Sequence, residues 1–94
     1  MNIKITGKDL KATEAIKDYI EKKLGRLEKY FETDELDVQA MIRIERELQI
    51  AEISASYKGE TFRAVTENKD LYASIDKDID ILEGQIRKMK TKKD

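Results

Sequence analysis

The side chains that most enzymes rely on are missing from this chain. It contains no histidine and no cysteine, which removes the imidazole base, the thiolate nucleophile and the commonest transition-metal ligands. Carboxylates are plentiful, but their spacing puts them on outward strand and helix positions. Ser54 and Ser56 alternate along one strand pattern with no base beside them, and there is no glycine-rich phosphate loop. Asp76-Lys77-Asp78-Ile79-Asp80 begins like a calcium-binding EF-hand loop. The match then fails, because Ile81 stands where that loop needs glycine and Arg87 where it needs the bidentate glutamate. The segment reads instead as the acidic solvent face of a helix. Neither catalysis nor a metal or other cofactor is expected.

The cations carry the more specific pattern. On a helical wheel Arg26 and Lys29 both fall within about 40° of Lys22, opposite an apolar stripe. Glu14, Glu21, Glu28 and Glu32 gather on one flank and Lys23 sits on the other. This reads as an exposed basic row. Like charges at i,i+3 and i,i+4 disfavour a helix by roughly 0.2–0.5 kcal/mol per pair. The two readings are a row that tracks phosphates and an ordinary solvated face on which Asp18 partly offsets Lys22. A second basic group closes the chain: Arg87, Lys88, Lys90, Lys92 and Lys93 make five of the last eight residues basic. One or two cations would complement the dipole at a helix C-terminus, so the rest call for another reason. Gly25 and Gly84 interrupt helix patterns on sides away from the apolar stripes, where either tolerated drift or close approach of a partner accounts for them.

Six elements must position these groups. Ile3 and Ile5 alternate with polar residues in a short strand that ends at Gly7. Thr13 is placed to cap one long helix whose apolar residues are Ile16, Ile20, Leu24, Leu27 and Phe31. The Glu32-Thr33-Asp34 stretch breaks that pattern. Leu36, Val38, Ala40, Ile42 and Ile44 then alternate with polar residues, as do Ala51, Ile53, Ala55 and Tyr57, and Phe62, Ala64 and Thr66. Lys58-Gly59 suits a tight hairpin turn. Asp70 is placed to cap a second helix with the stripe Leu71, Ile75, Ile79, Leu82, Ile86 and Met89. The order β-α-β-β-β-α predicts an α+β fold: a four-stranded sheet with both helices on one face and a polar open face bearing Arg43, Glu52, Ser54 and Ser56. The first two strands should run parallel through a helical crossover, and the others should pair as hairpins.

Charged residues are 41% of the chain and hydrophobic residues 39%, yet the net charge is only −1. That near-neutrality hides an acidic middle, with eight acidic and four basic residues in 33–68, and a basic end. No apolar run is long enough to span a membrane, and the N-terminus lacks the apolar core of a signal peptide. The expectation is one domain over residues 1–90 with a short basic tail at 91–94, monomeric and cytoplasmic.

The residues resemble a known family. Thr13-x-Ala15-Ile16-x-x-Tyr19-Ile20-x-x-Lys23-Leu24-x-Arg26-Leu27-x-Lys29-Tyr30 is similar to the first-helix pattern of the ribosome hibernation promoting factors, also called ribosome-associated inhibitor, ribosomal subunit interface or sigma-54 modulation proteins. Asp70-Leu71-Tyr72-Ala73-Ser74-Ile75-Asp76 resembles the entry to that family's second helix, and Leu82-Glu83-x-Gln85-Ile86-Arg87-Lys88 its end. Ile3-x-Ile5-x-Gly7 fits the opening.

The resemblance implies a topology like that of double-stranded-RNA-binding domains and a non-enzymatic role. It implies binding to the small ribosomal subunit between head and body, across the messenger path and the A- and P-site transfer-RNA positions, which silences translation in stationary phase or stress. The contacts to 16S-type rRNA carried over by position are Lys23, Arg26 and Lys29, with Arg87, Lys88 and Lys90; Lys22 joins them on the wheel alone. Two cations common in the family are replaced here by Ile81 and Gly84. The family's long form adds a second, dimerising domain, which these residues do not include. The alternative is a protein-interaction module that recruits a partner through the acidic sheet face or the edge strand.

Overall fold

A computed structural model describes residues 1–31 and 35–92, with side chains to Lys90. The break expected at Glu32-Thr33-Asp34 and the cations of Lys92 and Lys93 lie outside the described residues and side chains. The elements are β1 (Asn2–Lys8), α1 (Glu14–Leu24), a 3-10 helix (Gly25–Tyr30), β2 (Leu36–Glu45), β3 (Leu48–Tyr57), β4 (Glu60–Asn68) and α2 (Leu71–Lys92). The helical backbone of α2 thus extends two residues into the segment set aside as a tail.

The sheet has the order β1-β2-β3-β4. β1 runs parallel to β2, with Ile3 opposite Val38 and Ile5 opposite Ala40. The β2–β3 and β3–β4 pairs are antiparallel. The fold is therefore the mixed-sheet β-α-β-β-β-α arrangement that the hydrophobic pattern predicts. Lys58 and Gly59 turn the β3–β4 hairpin with φ of 47° and 85°, the left-handed pair that matches strand twist. Gly7 has a different reason to be glycine. A Cβ there would sit 1.9 Å from the carbonyl oxygen of Leu10, so the chain leaving β1 folds back over the bare α-carbon.

Both helix starts are capped as the sequence suggests. The Ile16 amide donates to Thr13 Oγ1 at 3.3 Å, and the Tyr72 amide donates to Asp70 Oδ1 at 3.0 Å. The first helix departs from expectation. It is α-helical only to Leu24, where the Gly25 amide reaches back to the carbonyls of both Lys22 and Lys23. Glycine is a poor helix former, and the chain tightens into the 3-10 form. That form suits the sequence: i and i+3 eclipse in a 3-10 helix, so Leu24 and Leu27, both fully buried, share one side.

The core lies between the sheet and the helices. Ile20, Leu24, Leu27, Leu36, Ile75, Ile79, Leu82 and Ile86 are fully excluded from solvent. Truncating any one of them to alanine costs about 2–5 kcal/mol. One expectation is corrected here. Asp78 is not on an acidic solvent face but is fully buried under β4. There Thr66 Oγ1, 2.8 Å from Asp78 Oδ1 and 2.7 Å from the Ser74 carbonyl oxygen, has one proton to share between them. Asp78 Oδ2 has no hydrogen-bond partner among the described residues. Desolvation pushes the Asp78 carboxyl up to about 7, against the Thr66 hydrogen bond. Among the described residues no helix is long and apolar enough to cross a membrane.

Candidate nucleic-acid interface

The two helices lie side by side on the sheet, and their outward surface carries the cations singled out above. Seen with its neighbours, this layer is not a bare basic row. α2 lies along the Lys23 flank of α1 and sets a carboxylate against each of three cations. Lys23 Nζ is 3.8 Å from Asp76 Oδ1. Arg26 Nη2 donates to Asp80 Oδ1 at 3.0 Å and to Glu83 Oε1 at 2.6 Å. Lys29 Nζ is 3.5 Å from Glu83 Oε2, and the Tyr30 hydroxyl donates to the same oxygen at 3.2 Å. The charge on this face is thus mixed because an adjacent helix compensates it, which a wheel of one helix does not reveal.

The ladder has a second strut in its aromatic residues. The Tyr19 hydroxyl donates to Asp76 Oδ1 at 2.6 Å, and this bond, with burial and the Asp76 charge, pushes the phenol up to about 12. Lys23 Nζ stands 5.4 Å from the Tyr19 ring centroid and Lys29 Nζ 5.3 Å from that of Tyr30. The hydrogen bond that Arg26 donates holds the Glu83 carboxyl below the usual range, and donating to Glu83 and Asp80 raises the guanidinium above its own. The 3-10 geometry matters here, because it brings Arg26 and Lys29 onto one side, where both reach Glu83.

The other expected contacts are placed differently. Lys22 is exposed at the crest of α1, and Lys88 is exposed on α2; neither enters an ion pair among the described residues. Five positions separate Lys88 from Glu83, about 140° around the helix. Lys88 therefore leans over the flank where Gln85 bonds the Arg63 carbonyl oxygen of β4 at 3.1 Å, away from Arg26. Arg87 is exposed. Lys90 covers the end of the core, with Nζ 5.3 Å from the Phe31 ring centroid and 5.9 Å from that of Tyr57. A partner touching Arg26 and Lys88 together must span the helix layer from one side to the other.

The carboxylates opposing the row were missed as partners, although their signal is present. Tyr19, Lys23, Arg26 and Tyr30 step by four, three and four, and Tyr72, Asp76, Asp80 and Glu83 by four, four and three. Two such stripes on neighbouring helices face each other. Gly25 and Gly84 both have open space where a Cβ would be. On the other side of the sheet, Glu52 is not a free acidic group. Arg63 donates to it at 2.8 and 3.1 Å and Arg43 at 3.4 Å, and Met41 and Val65 beside it are 43% and 46% exposed. That face is mixed and partly apolar rather than simply polar or acidic.

Comparison with known proteins supplies the family. Over 95 aligned residues the chain is 36% identical to the Ribosome hibernation promotion factor of Bacillus subtilis (strain 168) and 39% identical to that of Staphylococcus aureus (strain COL). Each match covers 98% of this chain but 50% of the relative, so the chain spans about half the length of these curated relatives. Among solved structures, the N-terminal domain of Thermus thermophilus Protein Y superposes with a TM-score of 0.86 at 41% identity, covering 95% of this chain and 99% of that one. A ribosomal subunit interface protein from Coxiella burnetii gives the same TM-score at 28% identity, covering 97% of this chain and 99% of that one. The family model described as Sigma 54 modulation protein / S30EA ribosomal protein matches residues 3–94. With the fold, the helix-layer motifs and nearly the whole length in agreement, the chain belongs to the Sigma 54 modulation protein / S30EA ribosomal protein family.

Proposed function

We propose that this chain is a ribosome-associated hibernation factor that binds small-subunit rRNA through its helix layer and inhibits translation by occupying the path of messenger and transfer RNA. Its action is steric and non-enzymatic, and it works in the cytoplasm. The family match over residues 3–94 carries the reading, and the names of the half-matched relatives agree with it. The contact set is Lys22, Lys23, Arg26, Lys29, Arg87, Lys88 and Lys90. Lys22 and Lys88 are its outward anchors, and the cations of the ladder lie between them. Phosphate contacts of this kind supply affinity that falls steeply with salt.

Sedimentation with isolated small ribosomal subunits across a salt series tests this. The wild type co-sediments at low salt. The double variant Lys22→Glu, Lys88→Glu keeps its fold, since both side chains are exposed, and loses association with a shallower salt dependence. Retention of both affinity and slope by that variant would refute the interface.

A further inference from the structure

The outward face of the helices is built in a way that a surface selected only for attracting RNA would avoid. Three cations, Lys23, Arg26 and Lys29, meet three carboxylates, Asp76, Asp80 and Glu83. The charges cancel over that strip. The Glu83 side chain is only 12% exposed and receives Arg26, Lys29 and the Tyr30 hydroxyl, so it is a fixed acceptor rather than a wandering surface acid. Both Arg26 bonds end on Nη2. The remaining donors of the guanidinium, on Nε and Nη1, are held in a set direction without being used by these acids.

We infer that Asp76, Asp80 and Glu83 form a specificity filter: they orient the helix-layer cations while cancelling their pull on RNA in general. The inference rests on the rRNA-binding reading above and deepens it. A flexible single strand approaching the layer meets carboxylates beside every cation of the strip and gains little from counterion release. A rigid, folded RNA surface reaches Lys22, Lys88 and the unused Arg26 donors at once, and it meets them already positioned. Discrimination thus comes from a repulsive element placed among attractive ones. The acidic residues of α2 are then part of the recognition surface, although they touch no phosphate favourably.

The test uses the full chain carrying Asp80→Asn and Glu83→Gln, with two probes: a short fluorescent oligouridine and isolated small ribosomal subunits. Asp80→Asn alone is measured as well, because that side chain is 60% exposed and its loss leaves the fold intact. Expected is a gain in oligouridine affinity of ~10-fold at low salt for the double variant and a smaller gain for Asp80→Asn, with a steeper salt dependence in both. Subunit affinity changes by less than ~3-fold, so the ratio between the probes collapses. Unchanged oligouridine affinity in both variants, or an equal gain for both probes, overturns the filter. If the wild type fails to bind subunits at all, the rRNA reading falls instead, and the oligouridine arm still decides whether the carboxylates screen the cations.

Discussion

Arg26 and Glu83 meet at 2.6 Å across the two helices, and that bond ties the element preceding β2 to the last element of the chain. Because Asp80 lies 3.0 Å from the same nitrogen, Arg26→Glu would set three carboxylates together. Arg26 is 42% exposed, so solvent screening limits the effect to about 1–2 kcal/mol of lost stability. Lys22→Glu should leave stability unchanged. Urea unfolding at low and high salt distinguishes them: the Arg26→Glu deficit shrinks in high salt because repulsion is screened.

Asp78 makes stability depend on pH. Its folded pKa is raised from 3.8 to about 7, so between those values the folded protein holds a proton that the unfolded chain releases. The stability that Asp78 contributes is greatest below the unfolded value, falls as pH rises toward about 7, and is level above that, opposite in sign to the contributions of Glu52 and Glu83. Asp78→Asn removes the ionisable group and should flatten the profile, gaining on the order of a few kcal/mol relative to wild type at about pH 8 and little at about pH 4. Chemical denaturation over that range checks it. A wild-type profile that rises toward neutral pH while Asp78→Asn stays parallel to it would contradict the assignment.

The glycines separate into two kinds. Gly84→Ala places a Cβ in open space within α2 and should stabilise the protein by about 0.8–1 kcal/mol. Gly7→Ala drives a Cβ into the backbone of Leu10 and should unfold the β1–α1 junction. Melting temperatures of the two variants should move in opposite directions. Gly84→Ala should also retain subunit binding, and a selective loss of binding would mean that the partner's backbone fills that space.

Glu52 discriminates between the two faces of the molecule. It is gripped by Arg43 and Arg63, and the hydrogen bonds from Arg63 hold its carboxyl below the usual range. Glu52→Lys gathers three cations on the open sheet and should lower stability by about 1 kcal/mol. Subunit co-sedimentation should persist, because the helix layer is untouched. Loss of co-sedimentation in a folded Glu52→Lys protein would move the interface to the sheet.

Most of the fold is legible in the chain because period-two and period-three-to-four spacings separate without overlap. Val38-Gln39-Ala40-Met41-Ile42 reads only as a half-buried strand, and Ile75, Ile79, Leu82 and Ile86 only as a helix face. Thr13, Asp70 and Gly59 announce their own local roles. What one-dimensional spacing hides is the neighbour. The Arg26 environment depends on Asp80 and Glu83, more than fifty residues away, and on a 3-10 segment that shifts the wheel after Gly25. Asp78 misleads for the same reason: flanked by Lys77, with Asp76 and Asp80 two positions to either side, it has the composition of a solvent face. Its angular position puts it on the β4 side, where Thr66 and Ser74 meet it.

The described sheet ends in two edge strands, β1 and β4, each paired on one side and presenting backbone donors and acceptors along its outer rim. Lys4 and Lys8 punctuate the first, and Glu60, Arg63 and Glu67 the second, all of them exposed. A second copy adding its own β1 to the β1 rim would have to bring the lysines together and strip water from them. Charges that vanish in the total of this chain therefore still oppose the joining of two copies through their β1 rims.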